Sequence, residues 1–157
     1  MIFIRQANRD DFALVMDVMK AMAKDNAMFS VDWKKVAWTV ADLIDNPTGY
    51  IFLAFDGKAC LGSFAVEQNT PWYSTDLILD ECWIFVRPEY RKTRAIFHLL
   101  ESIKGLAQKL GLPVQINVVT PNRPDAKVRL FKRYFKMVGE SNVQIKAETN
   151  VESNDTI

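Results

Sequence analysis

Cysteine and histidine are nearly missing from this chain of 157 residues, which has two of the first and one of the second. So few ligands, in no cluster, argue against a structural zinc site, and no metal is expected. Cys60 and Cys82 fall inside segments of strand character, where buried reduced thiols are the default, as suits a cytoplasmic setting. An excess of either charge is also missing. Twenty Lys and Arg stand against nineteen Asp and Glu, a net charge of +1, which gives no support to broad attraction to nucleic acid or membrane. No run approaches the apolar length of a membrane span, and no signal-peptide pattern precedes the first strand. There is no internal repeat and no linker. One domain over residues 1–148 is expected, followed by a polar, uncapped tail over 149–157.

The most informative stretch runs from Leu77 to Leu110. It opens with LILDECWIFV, an apolar, β-branched and aromatic run of strand length. It closes with Ile96, Leu99, Leu100, Ile103, Leu106 and Leu110 at three- and four-residue spacing, one face of a helix. Between them lies a basic turn, RPEYRKTRA, with Arg91, Lys92, Thr93 and Arg94 at the helix start. The first turn of a helix leaves N–H groups without partners, and the macrodipole there favours negative charge. Cations are disfavoured at such a place, so a bound anion would account for them. The plainer reading is solvated charge.

The rest of the chain supplies a helix-bearing sheet. Ile2 to Gln6 alternates as a short strand. Asn8 to Asp11 offers cap chemistry, and Phe12, Val15, Met16, Met19 and Met22 follow at helical period. Ser30 to Asp32 can cap a second helix whose apolar face is Trp33, Val36, Ala37, Val40 and Ile44, stopped by Asn46-Pro47-Thr48-Gly49. Two strands follow, Tyr50 to Phe55 and Ala59 to Gln68, joined at Asp56-Gly57, the strongest hairpin signal present. After a loop from Asn69 to Asp76 come the central strand and third helix, ended by Gly111-Leu112-Pro113. Val114 to Val119 reads as an apolar strand and Thr120 to Asp125 as a turn. A fourth helix buries Leu130, Phe131, Tyr134, Phe135 and Val138, with Gly139 ending it, and Asn142 to Thr149 alternates weakly as a last strand. This order predicts an α+β fold.

With Val86 to Arg91 at its hinge, the strand–turn–helix resembles motif A of the GNAT N-acyltransferases, in particular short viral and bacterial members whose pyrophosphate turn is not glycine-rich. The family signature is Gln/Arg-x-x-Gly-x-Gly/Ala. Arg91 stands at the first position, and Arg94 and Ile96 at the two small-residue positions. The element order β-α-α-β-β-β-α-β-α-β is also the family's, except that the family usually has two strands after the fourth helix. Either that strand is missing or a neighbouring subunit supplies the pairing, which leaves a homodimer open. The resemblance implies a mixed, mostly antiparallel sheet flanked by four helices, with acetyl-coenzyme A (acetyl-CoA) as co-substrate. It places pyrophosphate on the turn of Arg91, Lys92, Thr93, Arg94 and Ala95, pantetheine between splayed fourth and fifth strands, and the thioester carbonyl at the backbone of Phe85 and Val86. Asn122 matches a post-strand asparagine that contacts the pantetheine arm in the family.

Amide formation from a thioester needs a base for the amine, donors for the oxyanion and help for the leaving thiolate. The resemblance puts the base on the fourth strand. Asp80 and Glu81 both fit, on opposite faces, and Glu81 is preferred for its reach. Both also read as ordinary, partly exposed carboxylates. The family's acid is a tyrosine in the fourth helix, in the pattern Leu-Tyr-x-x-x-Gly, where this chain has Leu130-Phe131. Tyr134 lies nearly one turn later and reads either as a substitute or as a core tyrosine with its hydroxyl at the rim. His98 reads as a surface residue, and the basic run of the fourth helix as a solvated face that could touch the 3′-phosphate of coenzyme A. Trp33, Trp38, Trp72 and Tyr73 could wall the pocket of an amine acceptor, a small molecule or a protein. Transfer of acetyl to a primary amine is the first functional expectation. A GNAT-fold binding or regulatory protein that has lost transfer is the second.

Overall fold

The hairpin predicted at Asp56-Gly57 forms the centre of the sheet. In a computed structural model describing residues 1–118 and 123–135, β2 (Gly49–Asp56) turns through Gly57 and Lys58 into β3 (Ala59–Asn69). Gly57 takes a positive φ of 58°, which a residue without a Cβ adopts at little cost. β1 (Ile2–Gln6) pairs antiparallel with β2, and β4 (Ile78–Val86) antiparallel with β3. A two-residue β5 (Val114–Gln115) lies parallel to β4, so the sheet order is β1-β2-β3-β4-β5.

Four helices cover the two faces. Helices α1 (Phe12–Asn26) and α2 (Trp33–Asp45) bury Val15, Val18, Val40 and Leu43 against Ile51, Leu53, Trp83 and Phe85. Asp32 caps α2 by accepting from the amides of Lys34 and Lys35. On the other face α3 (Ala95–Leu110) sets Leu99, Leu100 and Ile103 against Phe64, Val66 and Leu79, and Phe131 of α4 (Pro124–Tyr134) joins them. Gly111, at φ 68°, closes α3 in the left-handed conformation that its glycine predicts. The result is the α+β architecture expected, with a mixed, mostly antiparallel sheet and four helices. Among the described residues no helix is long and apolar enough to cross a membrane.

Three features depart from the sequence reading. The register of β3 against β4 shifts between Ala65 and Val66, so that Trp83 opposes Ala65 and Glu81 opposes Val66. Cys82 is the extra residue of this bulge. Leu79 therefore packs with the α3 cluster while Trp83, four residues on, packs with the α1–α2 cluster, which strict alternation would forbid. Of the strand expected over Val114 to Val119, whose last residue lies outside the described ones, only the first two residues pair among the described residues. Helix α4 ends at Tyr134, with Phe135 extended, rather than running on toward Gly139. The last strand expected from Asn142 to Thr149, the tail and Asn122 lie outside the described residues.

Candidate active site

Strands β4 and β5 meet at Leu79–Val114 and Asp80–Gln115 and then part. The bond from Leu79 N to Pro113 O (2.8 Å) belongs to this short ladder. Two residues past its end, the Asn117 amide donates to the Glu81 carboxylate (3.0 Å), a side chain standing where a ladder would use a carbonyl. Beyond that point a cleft opens. Its larger cavity, about 520 Å³, is walled by Met19, Met22, Trp33 and Trp83, with Glu81 and Asn117 among its polar groups. A smaller one, about 170 Å³, runs past Phe85, Val86, Arg91, Thr93 and Ile96 to the start of α3. Asn26, Ile84, Lys127 and Phe131 line both, and so mark their junction.

Backbone direction along β4 sorts the two residues expected at the thioester. Arg87 N donates to Leu61 O (2.9 Å), so the backbone of residue 87 faces β3. Successive residues of a strand point their N–H and C=O groups to opposite sides. Phe85 thus also faces β3, and Val86 faces the cleft, where its carbonyl accepts from Arg91 Nε (3.2 Å). Gly62 lets β3 lie this close: a Cβ there would sit 2.3 Å from Phe85 O.

The turn before α3 keeps amides available. Arg91 N reaches Pro88 O at 3.4 Å, Thr93 N reaches Tyr90 O at 3.0 Å, and Ala95 N reaches Thr93 Oγ1 at 3.3 Å. The amides of Lys92, Arg94 and Ile96 have no acceptor among the described residues. The side chains are disposed less simply. Arg91 is turned back onto the strand, its guanidinium donating to Asp25 at the end of α1 and lying 5.8 Å from the Phe85 ring centroid. Arg94 is exposed and lies over the Phe97 ring, 5.2 Å from its centroid. Lys92 is exposed.

The two carboxylates of β4 differ. Glu81 lines the larger cavity, and burial lifts its carboxyl to about 7; the Asn117 amide opposes the rise and Asp80 adds to it. Asp80 lines neither cavity. Its Oδ1 is buried without a hydrogen-bond partner among the described residues, on the side of Glu67, whose carboxyl is raised by its own burial and then by Asp80 and Asp42. Cys82 lines the larger cavity, but burial, with Glu67, Glu81 and Asp80 nearby, pushes its thiol up to about 12. It stays protonated and inert.

The remaining expected residues divide in the same way. Tyr134 lines neither cavity; its ring lies tilted against Phe97 at 5.7 Å. Trp33 and Val31 stand at the cavity mouth, whereas Trp38, Trp72 and Tyr73 are exposed away from both cavities. Sequence reasoning left out Asn26, Asn117 and Lys127. The first two carry no signal in isolation, and Lys127 read as one cation of a solvated helix face.

No known family's model matches the chain, and neither does any curated protein. Solved structures do. A predicted acetyltransferase of Clostridium acetobutylicum, crystallised with acetyl-CoA, superposes with a TM-score of 0.72 at 15% identity, covering 92% of this chain and 96% of the other. A possible acetyltransferase of Clostridium difficile 630 gives 0.70 at 18% identity, covering 92% and 98%. An aminoglycoside acetyltransferase from an uncultured soil metagenomic sample gives 0.68 at 13%, covering 92% and 93%. The helices, the mixed sheet with its parting strands and these superpositions agree: the chain has the GNAT fold.

Proposed function

We propose that the chain is an N-acetyltransferase that moves the acetyl group of acetyl-CoA to a primary amine. The observation that carries this reading is the parting of β4 from β5 beside a helix start where the amides of Lys92, Arg94 and Ile96 lack acceptors among the described residues. A pantetheine arm is extended and carries amides of its own, which suits a cleft edged by strand backbone. Diphosphate suits the amides of Lys92, Arg94 and Ile96, with the macrodipole of α3 behind them. The exposed Lys92 and Arg94 add charge at the same corner, and Thr93 and Ala95 hold the turn closed through their mutual bond. Arg91 reaches the anion once it exchanges Asp25 for phosphate.

Chemistry at the junction then follows from the groups already placed. Glu81, poised near neutral pH, takes the proton of an incoming ammonium group, directly or through one water. The amine nitrogen attacks the thioester carbon. The Val86 N–H, aimed into the cleft, donates to the oxygen as it gains charge. Met19, Met22, Trp33 and Trp83 enclose the acceptor and exclude bulk water.

Calorimetry with acetyl-CoA, followed by acetyl transfer to phenethylamine, spermidine, kanamycin and an alanine-leading peptide, tests this. Binding with transfer to at least one amine is expected; no binding at millimolar acetyl-CoA overturns it. Arg91→Ala and Arg94→Ala should each weaken binding by about 1–3 kcal/mol, the range for a charge-assisted contact to phosphate. Phe131 at the family's tyrosine position favours one other reading, a GNAT-fold binding protein without transfer. Binding with neither hydrolysis nor transfer would select it.

A further inference from the structure

We propose that Lys127 is the proton donor to the departing coenzyme A thiolate, standing one helical turn ahead of Phe131. This rests on the transferase reading above. Residues i and i+4 share a helix face, and Lys127 and Phe131 both line the two cavities at their junction. That junction is where the arm bound in the smaller cavity meets the acceptor held in the larger.

Other donors are accounted for. The chain has four tyrosines and one histidine. Tyr50 accepts from Gln68, Tyr73 sits in an exposed loop and Tyr134 lies on Phe97. Tyr90 and the exposed His98 line neither cavity. Residues 119–122 and 136–157 contain no tyrosine, histidine or cysteine. Cys82 holds its proton too tightly, and Glu81 serves as base. Lys127 alone, among the described titratable side chains, lines both cavities and carries a proton it can release.

Its surroundings suit the task. Burial lowers its affinity for a proton, Arg91 on the turn lowers it further, and Asp25 at the end of α1 works the other way. Glu81 of β4 lines the same larger cavity. A lysine moved down from its ordinary value gives up its proton more readily, which favours transfer to a thiolate. In the step, the C–N bond has formed and the tetrahedral centre collapses. The C–S bond breaks with its electron pair going to sulfur, and sulfur takes a proton from Lys127 Nζ. The acceptor nitrogen, which gave one proton to Glu81 before attack, sheds its second to solvent as the amide forms, and the neutral lysine regains one from solvent, so that one proton is released overall.

Lys127→Met, Lys127→Gln and Lys127→Arg in the full chain test the assignment. All three should lower kcat with acetyl-CoA by about 100-fold, since arginine keeps the charge but does not release its proton. The wild-type kcat should fall at high pH as the lysine discharges, and the variants should lack that limb. With phenyl thioacetate, whose thiolate leaves without a proton, the loss should shrink to less than about fivefold. A readout free of turnover is the thiol of bound coenzyme A, followed by thiolate absorbance. Without the neighbouring cation it should titrate about one pH unit higher in Lys127→Met and Lys127→Gln.

Restoration of kcat by arginine, with KM for acetyl-CoA raised in the other two, would make Lys127 a phosphate contact and overturn the proposal. So would an unchanged thiol titration. A wild-type chain that fails to bind acetyl-CoA sinks the transferase reading itself, whereas binding and transfer with kcat unchanged in all three variants sinks only the lysine.

Discussion

Strand β4 has two edges, and they are built in opposite ways. Toward β3 it pairs from Gly62–Val86 to Asn69–Ile78, through a bulge and with a glycine that lets the backbones touch. Toward β5 it pairs at two positions and then leaves its backbone to a cleft. An open edge is normally a hazard, because unpaired N–H and C=O groups invite another strand. Here β3 fixes the strand so firmly that the open side can present the Val86 backbone at a set position. Met19 and Met22 of α1, Trp33 of α2 and Phe131 of α4 line that cleft. Stability sits on one edge, and the proposed binding on the other.

The comparison breaks most directly at Gly62. A Cβ there would stand 2.3 Å from Phe85 O and 2.9 Å from Val86 Cα, both backbone atoms that no rotamer change can move aside. Gly62→Ala should cost about 3 kcal/mol, and Gln115→Ala on the open edge less than about 0.5 kcal/mol. Urea unfolding of the two variants measures this. Equal costs would mean that the two edges are not different in kind.

A somewhat smaller effect, split between activity and stability, is expected at Glu81. Its carboxyl lies at about 7 in the fold against 4.5 in the unfolded chain. Between those values the native state holds a proton that the unfolded state has lost, so stability falls as pH rises through the window. The fall amounts to at most about 3 kcal/mol. Glu81→Gln should remove it, unfolding later than wild type at about pH 8 and alike near pH 4. The same variant should lower kcat about 100-fold and lose its rise with pH near neutrality. If Asp80→Asn does this instead, the base has been assigned to the wrong residue.

The two edges were also unequally legible in the sequence. The paired side was readable because each element carries its own local signal: helical spacing in α3, the Gly57 turn, the Gly111 cap. The open side was not, because what shapes it is a relation between distant residues. The run LILDECWIFV does not disclose that Cys82 is extra, since a bulge depends on how β3 opposes it. Val114 to Val119 reads as one apolar strand, yet the Glu81 carboxylate takes the amide of Asn117 and the ladder stops. Asp80 and Glu81 could be told apart in face but not in which face meets the cleft. Arg91 was legible from its place in the resembled motif at the helix start, but the partners its guanidinium takes, Asp25 and the Val86 carbonyl, carry no sequence signal. Lys127 was hidden by its neighbours Arg129, Lys132 and Arg133, which made one inward lysine look like part of a solvated run.

The smallest effect expected is the one that tests the open edge most finely. Phe131 is buried to 8% exposure at the junction of the two cavities, where the GNAT pattern has a tyrosine. Phe131→Tyr adds one hydroxyl beside Lys127. If the lysine already supplies the thiolate's proton, the addition is redundant: kcat should change less than about threefold and stability by less than about 1 kcal/mol. Placed on Lys127→Met, the same change should recover at least about tenfold in kcat, because among the described side chains lining both cavities the hydroxyl then offers the transferable proton. A large gain from Phe131→Tyr alone would show instead that the natural chain lacks an acid there, and steady-state kinetics of the two single variants and the double variant decide between these outcomes.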